Sequence, residues 1–174
     1  VRYPCKFMLV AAANPCKCGY LADPARACAR VPLCGEDYMG RISGPLMDRF
    51  DLRVEVPPVA FTDLDLPADG ESSVQVAARV AAARNIQSAR FSGQDHLRVN
   101  ADLEGKALDD VATPDSEGQA LLVKVAERFG LSARGYHRVL RVARTIADLE
   151  GVADVRKPHI AEAVSYRIPL TKEA

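Results

Sequence analysis

The alternation of apolar and polar positions changes character twice along this chain. Residues 7–13, FMLVAAA, form an unbroken apolar run stopped by Asn14-Pro15. A short run of this kind, closed by a turn signal, reads as a buried strand over residues 6–13. Residues 50–56, FDLRVEV, alternate with period two and read as a half-buried strand, ended by Pro57-Pro58. Short helical pieces are expected over 36–49, broken at Ser43-Gly44-Pro45. From residue 71 onward only the helical period recurs. Ser72-Ser73-Val74-Gln75 is a capping box that makes Ser72 the N-cap of a helix running to about Arg90. Asn100 is read as the cap of a short helix to Val111. Thr113-Pro114 is read as an N-cap with proline at the first helical position, opening a helix to Phe129. Gly130 ends that helix, Ser132 caps the next one through Leu149, and Lys157-Pro158 opens a last one through Tyr166.

The helix over 133–149 carries the clearest two-sided pattern. Tyr136, Val139, Leu140, Ala143, Ile146 and Ala147 fall on one side and form the core stripe. Arg134, Arg138, Arg141 and Arg144 fall on the other. For three of these arginines the reading is a solvated face. Arg134, in the first turn, is set apart below.

Charge narrows the function classes. Lys plus Arg and Asp plus Glu each number 23, so the formal net charge is zero. That excludes a basic tail or an acidic solvating segment as the main theme, but not a local basic face. No run approaches the ~18 apolar residues of a membrane span. The N-terminal residues do not read as a signal peptide, and the expected compartment is the cytoplasm. The chain starts at Val1 and enters its apolar run almost at once, which reads as a piece of a longer protein.

All five cysteines, Cys5, Cys16, Cys18, Cys28 and Cys34, lie in the first 34 residues. A secreted disulfide scaffold would spread them along the fold. Four of them form C-x-C-x9-C-x5-C, with Gly19 placed to make a tight turn after the first pair. Four thiolates suit a structural zinc, and the other reading is four reduced thiols in a surface loop. Cys5 reads as a bystander.

Candidate chemistry is sparse. Asn14 ends a strand, where a side-chain amide can orient an attacking water, or simply form a turn. Arg49, in Asp48-Arg49-Phe50-Asp51, is either a local ion-pair partner or a cation offered to a neighbour's γ-phosphate. A phosphate cradle is missing. The Gly105-Lys106 step is followed by Ala107, and Asn100 stands where the first glycine of a Walker A motif belongs. No apolar strand ends in Asp-Glu, so the chain alone should not hydrolyse a nucleotide. His96, His137 and His159 are scattered and read as surface or packed residues.

The blocks FMLVAAANPCKCGY, RISGPLMDRFDLRVEVP, GESS, LSARGYHRVLRVARTIADLEG and HIAEAVSYR, in that order, resemble the magnesium-chelatase-like ComM (YifB) family of bacterial AAA+ ATPases. The resemblance covers nearly the whole chain and corresponds to the C-terminal part of such a protein. It implies an α/β fragment, the end of a AAA+ P-loop core with a Cys-rich insertion, over residues 1–57. A linker over 58–70 and an all-α helical lid over 71–174 would follow. The Walker motifs would lie upstream. It further implies Asn14 as sensor 1, Arg49 as a trans-acting arginine finger and Arg134 as the sensor-2 arginine. Cys16, Cys18, Cys28 and Cys34 match a cysteine-rich insertion whose second pair is closer in the family, so zinc stays open. ATP and magnesium are the implied cofactors, a hexameric ring the implied assembly, and branched DNA the implied partner. An orphaned core edge is expected to be poorly ordered or to pair with another chain, leaving the lid as the better ordered half.

Three functions compete at this point. The first is part of a DNA-translocating ATPase. The second is the motor subunit of a magnesium-chelatase-type complex. The third is a non-enzymatic zinc and helix module that uses Arg79, Arg84, Arg90 and Arg98 as a basic footprint.

Overall fold

A computed structural model describes residues 7–21, 23, 25–59, 61–63, 66 and 70–167 of the chain. Cys5 lies outside the described residues. The chain divides into two compact units, Val1–Met47 and Asp48–Ala174. Sequence reading put its break at the proline-rich linker 58–70; the contact boundary falls earlier, because residues 48–53 bond to the helices that follow.

The first unit holds a segment without regular structure over 7–14, the cysteine loop, and helices α1 (Leu33–Met39) and α2 (Gly44–Met47). Gly44 and Pro45 open α2 rather than break a helix, since proline is suited to a first helical turn. Phe7 is 78% and Met8 86% exposed, so the expected strand 6–13 buries nothing where it is described. Residues 50–56 likewise form no strand. A strand is defined by its ladder, and neither segment finds a partner among the described residues. The helical half of the expected fold is therefore present, and the α/β half is not seen.

The second unit is built from α3 (Ser73–Arg90), α4 (Gly105–Ala112), α5 (Ser116–Phe129), α6 (Ala133–Glu150) and α7 (Lys157–Ser165), with a 3₁₀ turn at Asn100–Asp102. Helix α6 packs against α3, α4 and α7, and α5 against α7. The buried centre includes Leu103, Leu108, Leu122, Val139, Ala143, Ala147 and Ile160. The expected core stripe of α6 is in place: Val139, Leu140, Ala143 and Ala147 are buried, with Tyr136 and Ile146 packed alongside.

Caps explain most helix boundaries. Ser72 and Gln75 form the expected reciprocal box at the start of α3. Ser132 accepts from the Gly135 N–H at the start of α6. Gly130 and Gly151 close α5 and α6 in the left-handed region, at φ 61° and 77°, which glycine enters without strain. Two expectations are corrected. Asp115, not Thr113, caps α5 through the Gly118 N–H, while Pro114 sits in a parallel bridge with Val155. Asn100 does not cap α4, which starts after Glu104; it is buried in a polar network.

That network overturns the solvated-face reading of α6. Arg144 is 1% exposed and bonds Asp148 and the carbonyls of Val152 and Ala153. Arg141 donates to the Leu103 carbonyl, and Arg138 pairs with Asp51. Asp148 accepts a two-pronged bond from Arg90, at 2.5 and 2.9 Å, and a third from Asn100 at 2.8 Å. Burial opposes charge on Asp148. The Arg90 and Asn100 hydrogen bonds and the Arg144 charge outweigh it, so its carboxyl lies below the usual range.

Candidate functional site

The cysteine cluster sits in the first unit. The Cys16-Lys17-Cys18-Gly19 turn closes with the Gly19 N–H on the Cys16 carbonyl, and Gly19 takes a φ of 81°. This folds the first cysteine pair onto the start of α1, which carries Cys34. The sulfurs of Cys16, Cys18 and Cys34 all lie within 4.8 Å of one another, with Cys16 and Cys18 3.0 Å apart. Cys28, the fourth cysteine of the spacing, is not part of that close group. Cys16 and Cys34 are buried and all four thiols are free. In a tetrahedral zinc–thiolate site the sulfurs stand about 3.8 Å apart, as bonds of ~2.3 Å require. The Cys16, Cys18 and Cys34 sulfurs therefore fit that ion with small adjustments, and Cys28 would have to approach to complete the set. Their protonation is uneven. The Cys16 hydrogen bond, helped by the Tyr20 N–H, lowers the Cys18 thiol to about 6. Burial, with Cys28 beside it, pushes Cys34 up to about 12. A divalent cation would deprotonate the set together.

The second candidate region is the Asp48–Arg53 segment and the start of α6. Ser132 Oγ, the α6 cap, donates to Asp48 Oδ2 at 2.6 Å. Asp48 thus places its charge at a helix N-terminus, where backbone N–H groups favour it. Arg167 donates to Asp48 Oδ1 at 2.7 Å and to the Phe50 carbonyl at 2.8 Å. The Arg53 N–H donates to the Tyr166 carbonyl at 2.8 Å. The carboxylates on either side of Arg49 are thus engaged by arginines of the helical unit, Asp48 by Arg167 and Asp51 by Arg138. Arg49 itself is exposed, as is Arg134 in the first turn of α6. Asn14 is exposed, in the irregular segment 7–14 of the first unit.

Sequence reasoning named Arg49 and Arg134 but missed the residues that tie their segments together. Asp48, Arg138 and Arg167 are far apart in sequence, and no local spacing links them. Of the proposed basic footprint, Arg79 is paired with Glu71 and Arg90 with Asp148, while Arg84 and Arg98 are exposed.

Residues 70–167 match the family profile described as magnesium chelatase, subunit ChlI C-terminal. The chain belongs to the magnesium chelatase ChlI family. Residues 1–64 match the profile described as magnesium chelatase, subunit ChlI. Among curated relatives, the competence protein ComM of Haemophilus influenzae is 38% identical over 168 residues, 96% of this chain and 32% of its own length. Protein Rv2897c of Mycobacterium tuberculosis is 40% identical, over 95% of this chain and 32% of its length. YifB of Escherichia coli is 39% identical over 170 residues, 96% of this chain and 32% of its length. The chain thus spans about a third of the length of these ChlI-family relatives. Among the described residues, no helix is long and apolar enough to cross a membrane.

Proposed function

We propose that this chain forms part of a AAA+ ATPase that couples ATP hydrolysis to DNA remodelling in the cytoplasm. Residues 1–57 would complete a nucleotide-binding core and residues 71–174 would be its lid, joined by the linker 58–70. Sequence outside this chain would supply the Walker motifs that hold ATP and magnesium, and the subunits would assemble into a ring of six. Asn14 would orient the attacking water. Arg134 would touch the bound nucleotide from the lid. Arg49 would reach the γ-phosphate of the neighbouring subunit, where a planar cation matches the charge spread over the transferring group. Cys16, Cys18, Cys28 and Cys34 would hold a structural zinc that keeps the insertion folded.

The observation that carries this reading is the placement of Arg49 and Arg134. Both are exposed, and their segments belong to one compact unit. A core that presents a finger to the next subunit while tied to a lid that senses its own nucleotide needs that arrangement. The DNA substrate follows from the resemblance of the sequence blocks to the ComM (YifB) family; the Haemophilus relative is named a competence protein. The family description itself favours a second reading, the motor of a magnesium-chelatase-type complex. The thiol cluster has no evident use there.

Arg49→Ala in the full-length protein tests the finger. It should lower ATP turnover about 10³-fold or more while leaving nucleotide affinity unchanged, since the contact forms chiefly in the transition state. Turnover near the unmodified rate would remove Arg49 from the mechanism.

A further inference from the structure

Arg167 is buried, with 4% of its surface exposed, at the end of α7. Its guanidinium grips both flanks of Arg49. Nη2 binds the Asp48 carboxylate at 2.7 Å and faces the Asp48 carbonyl at 3.4 Å, and Nη1 binds the Phe50 carbonyl at 2.8 Å. One residue on, Arg138 holds Asp51, and the Arg53 N–H is held by the Tyr166 carbonyl. The approach to α6 is equally tight. A Cβ at Gly135 would stand 3.3 Å from Asp48 Oδ1 and 3.4 Å from Arg167 Nη2, so glycine lets the first turn of α6 press on the pair.

Burial lowers the Arg167 pKa from its ordinary value, Asp48 opposes this, and Arg53 and Arg138 add to it. Such an arginine costs desolvation energy that a helix end could do without. What it achieves is to fix the backbone on both sides of Arg49 while the Arg49 side chain stays exposed. It also ties that backbone, through Asp48 and Ser132, to the turn that carries Arg134.

We propose that Arg167 is a positioning residue for Arg49, locking the finger segment to the lid so that Arg49 and Arg134 move as one body. The proposal rests on the reading of Arg49 as an arginine finger. Nucleotide sensed at Arg134 would then set the placement of Arg49 against the neighbouring subunit. A finger misplaced by an ångström loses most of its effect on the transition state.

The test uses the full-length protein and four variants: Arg49→Ala, Arg167→Met, the double variant and Asp48→Asn. Arg167→Met should lower kcat about 10- to 100-fold with KM for ATP nearly unchanged. Added to Arg49→Ala, it should cause no further loss, because both act through one side chain. Asp48→Asn keeps an acceptor for Ser132 and removes the charge, and should give a smaller loss of the same kind. It guards against a fold too damaged by Arg167→Met to be informative. Three outcomes overturn the proposal: a folded Arg167→Met enzyme with normal kcat beside an inactive Arg49→Ala enzyme, a loss that multiplies in the double variant, or normal kcat in Asp48→Asn. Normal turnover in Arg49→Ala instead overturns the finger reading, and the positioning role with it.

Discussion

Single residues carry two tests that need no nucleotide. Asp148 is fully enclosed and neutralised by Arg90 and Arg144, with Asn100 completing its hydrogen bonds. Removing its charge strands two cations, so Asp148→Asn should destabilise the helical unit by about 3 kcal/mol or more in urea unfolding. The carboxyl is held below its unfolded value, so its contribution is full above about pH 4 and fades as pH falls through the folded-state value. The variant and the unmodified protein should therefore converge in stability in strong acid; a gap that persists there would mean the charge is not what stabilises. The cysteines give the second test. Zinc should bind once per chain, and Cys16→Ser or Cys34→Ser should abolish retention of the metal after dialysis, measured by elemental analysis. Full retention in both variants would leave the cluster as reduced thiols. The spacing pointed to this cluster, and three of its four cysteines, Cys16, Cys18 and Cys34, are brought together. Asp148 was not legible, because its partners come from three separated stretches of chain.

Among the elements, legibility followed how local the signal is. The caps at Ser72 and Ser132 and the glycine end at Gly130 depend on a few adjacent residues, and all three are where the sequence placed them. At the start of α5 the sequence reading takes Thr113 as the cap. Asp115 prevailed over Thr113, since its carboxylate reaches the Gly118 N–H while Pro114 is held by Val155. The arginine side of α6 misled for another reason. Period analysis separates apolar from charged positions, but it cannot tell water from a buried carboxylate or carbonyl as the partner of a guanidinium. Arg138, Arg141 and Arg144 all bond to protein, and they fasten α6 to Asp51, to Leu103 and to the loop after α6.

For the whole molecule, the packed core lies in the helical unit, and the two apolar stretches expected as strands remain exposed among the described residues. A helix satisfies its own backbone, whereas a strand needs a neighbour, so the helical patterns yield regular structure within this chain and the strand patterns do not among the described residues. The magnesium chelatase ChlI family was legible because its blocks are long and ordered. The arrangement of Asp48, Arg167 and Ser132 around the finger segment was not, since it exists only in three dimensions. The central claim is a DNA-coupled motor, and the most direct measurement is ATP turnover by the full-length protein, with and without branched DNA, at fixed low salt. The account predicts strong stimulation by DNA that disappears in Arg49→Ala. Turnover indifferent to DNA would contradict it and favour the chelatase-type motor.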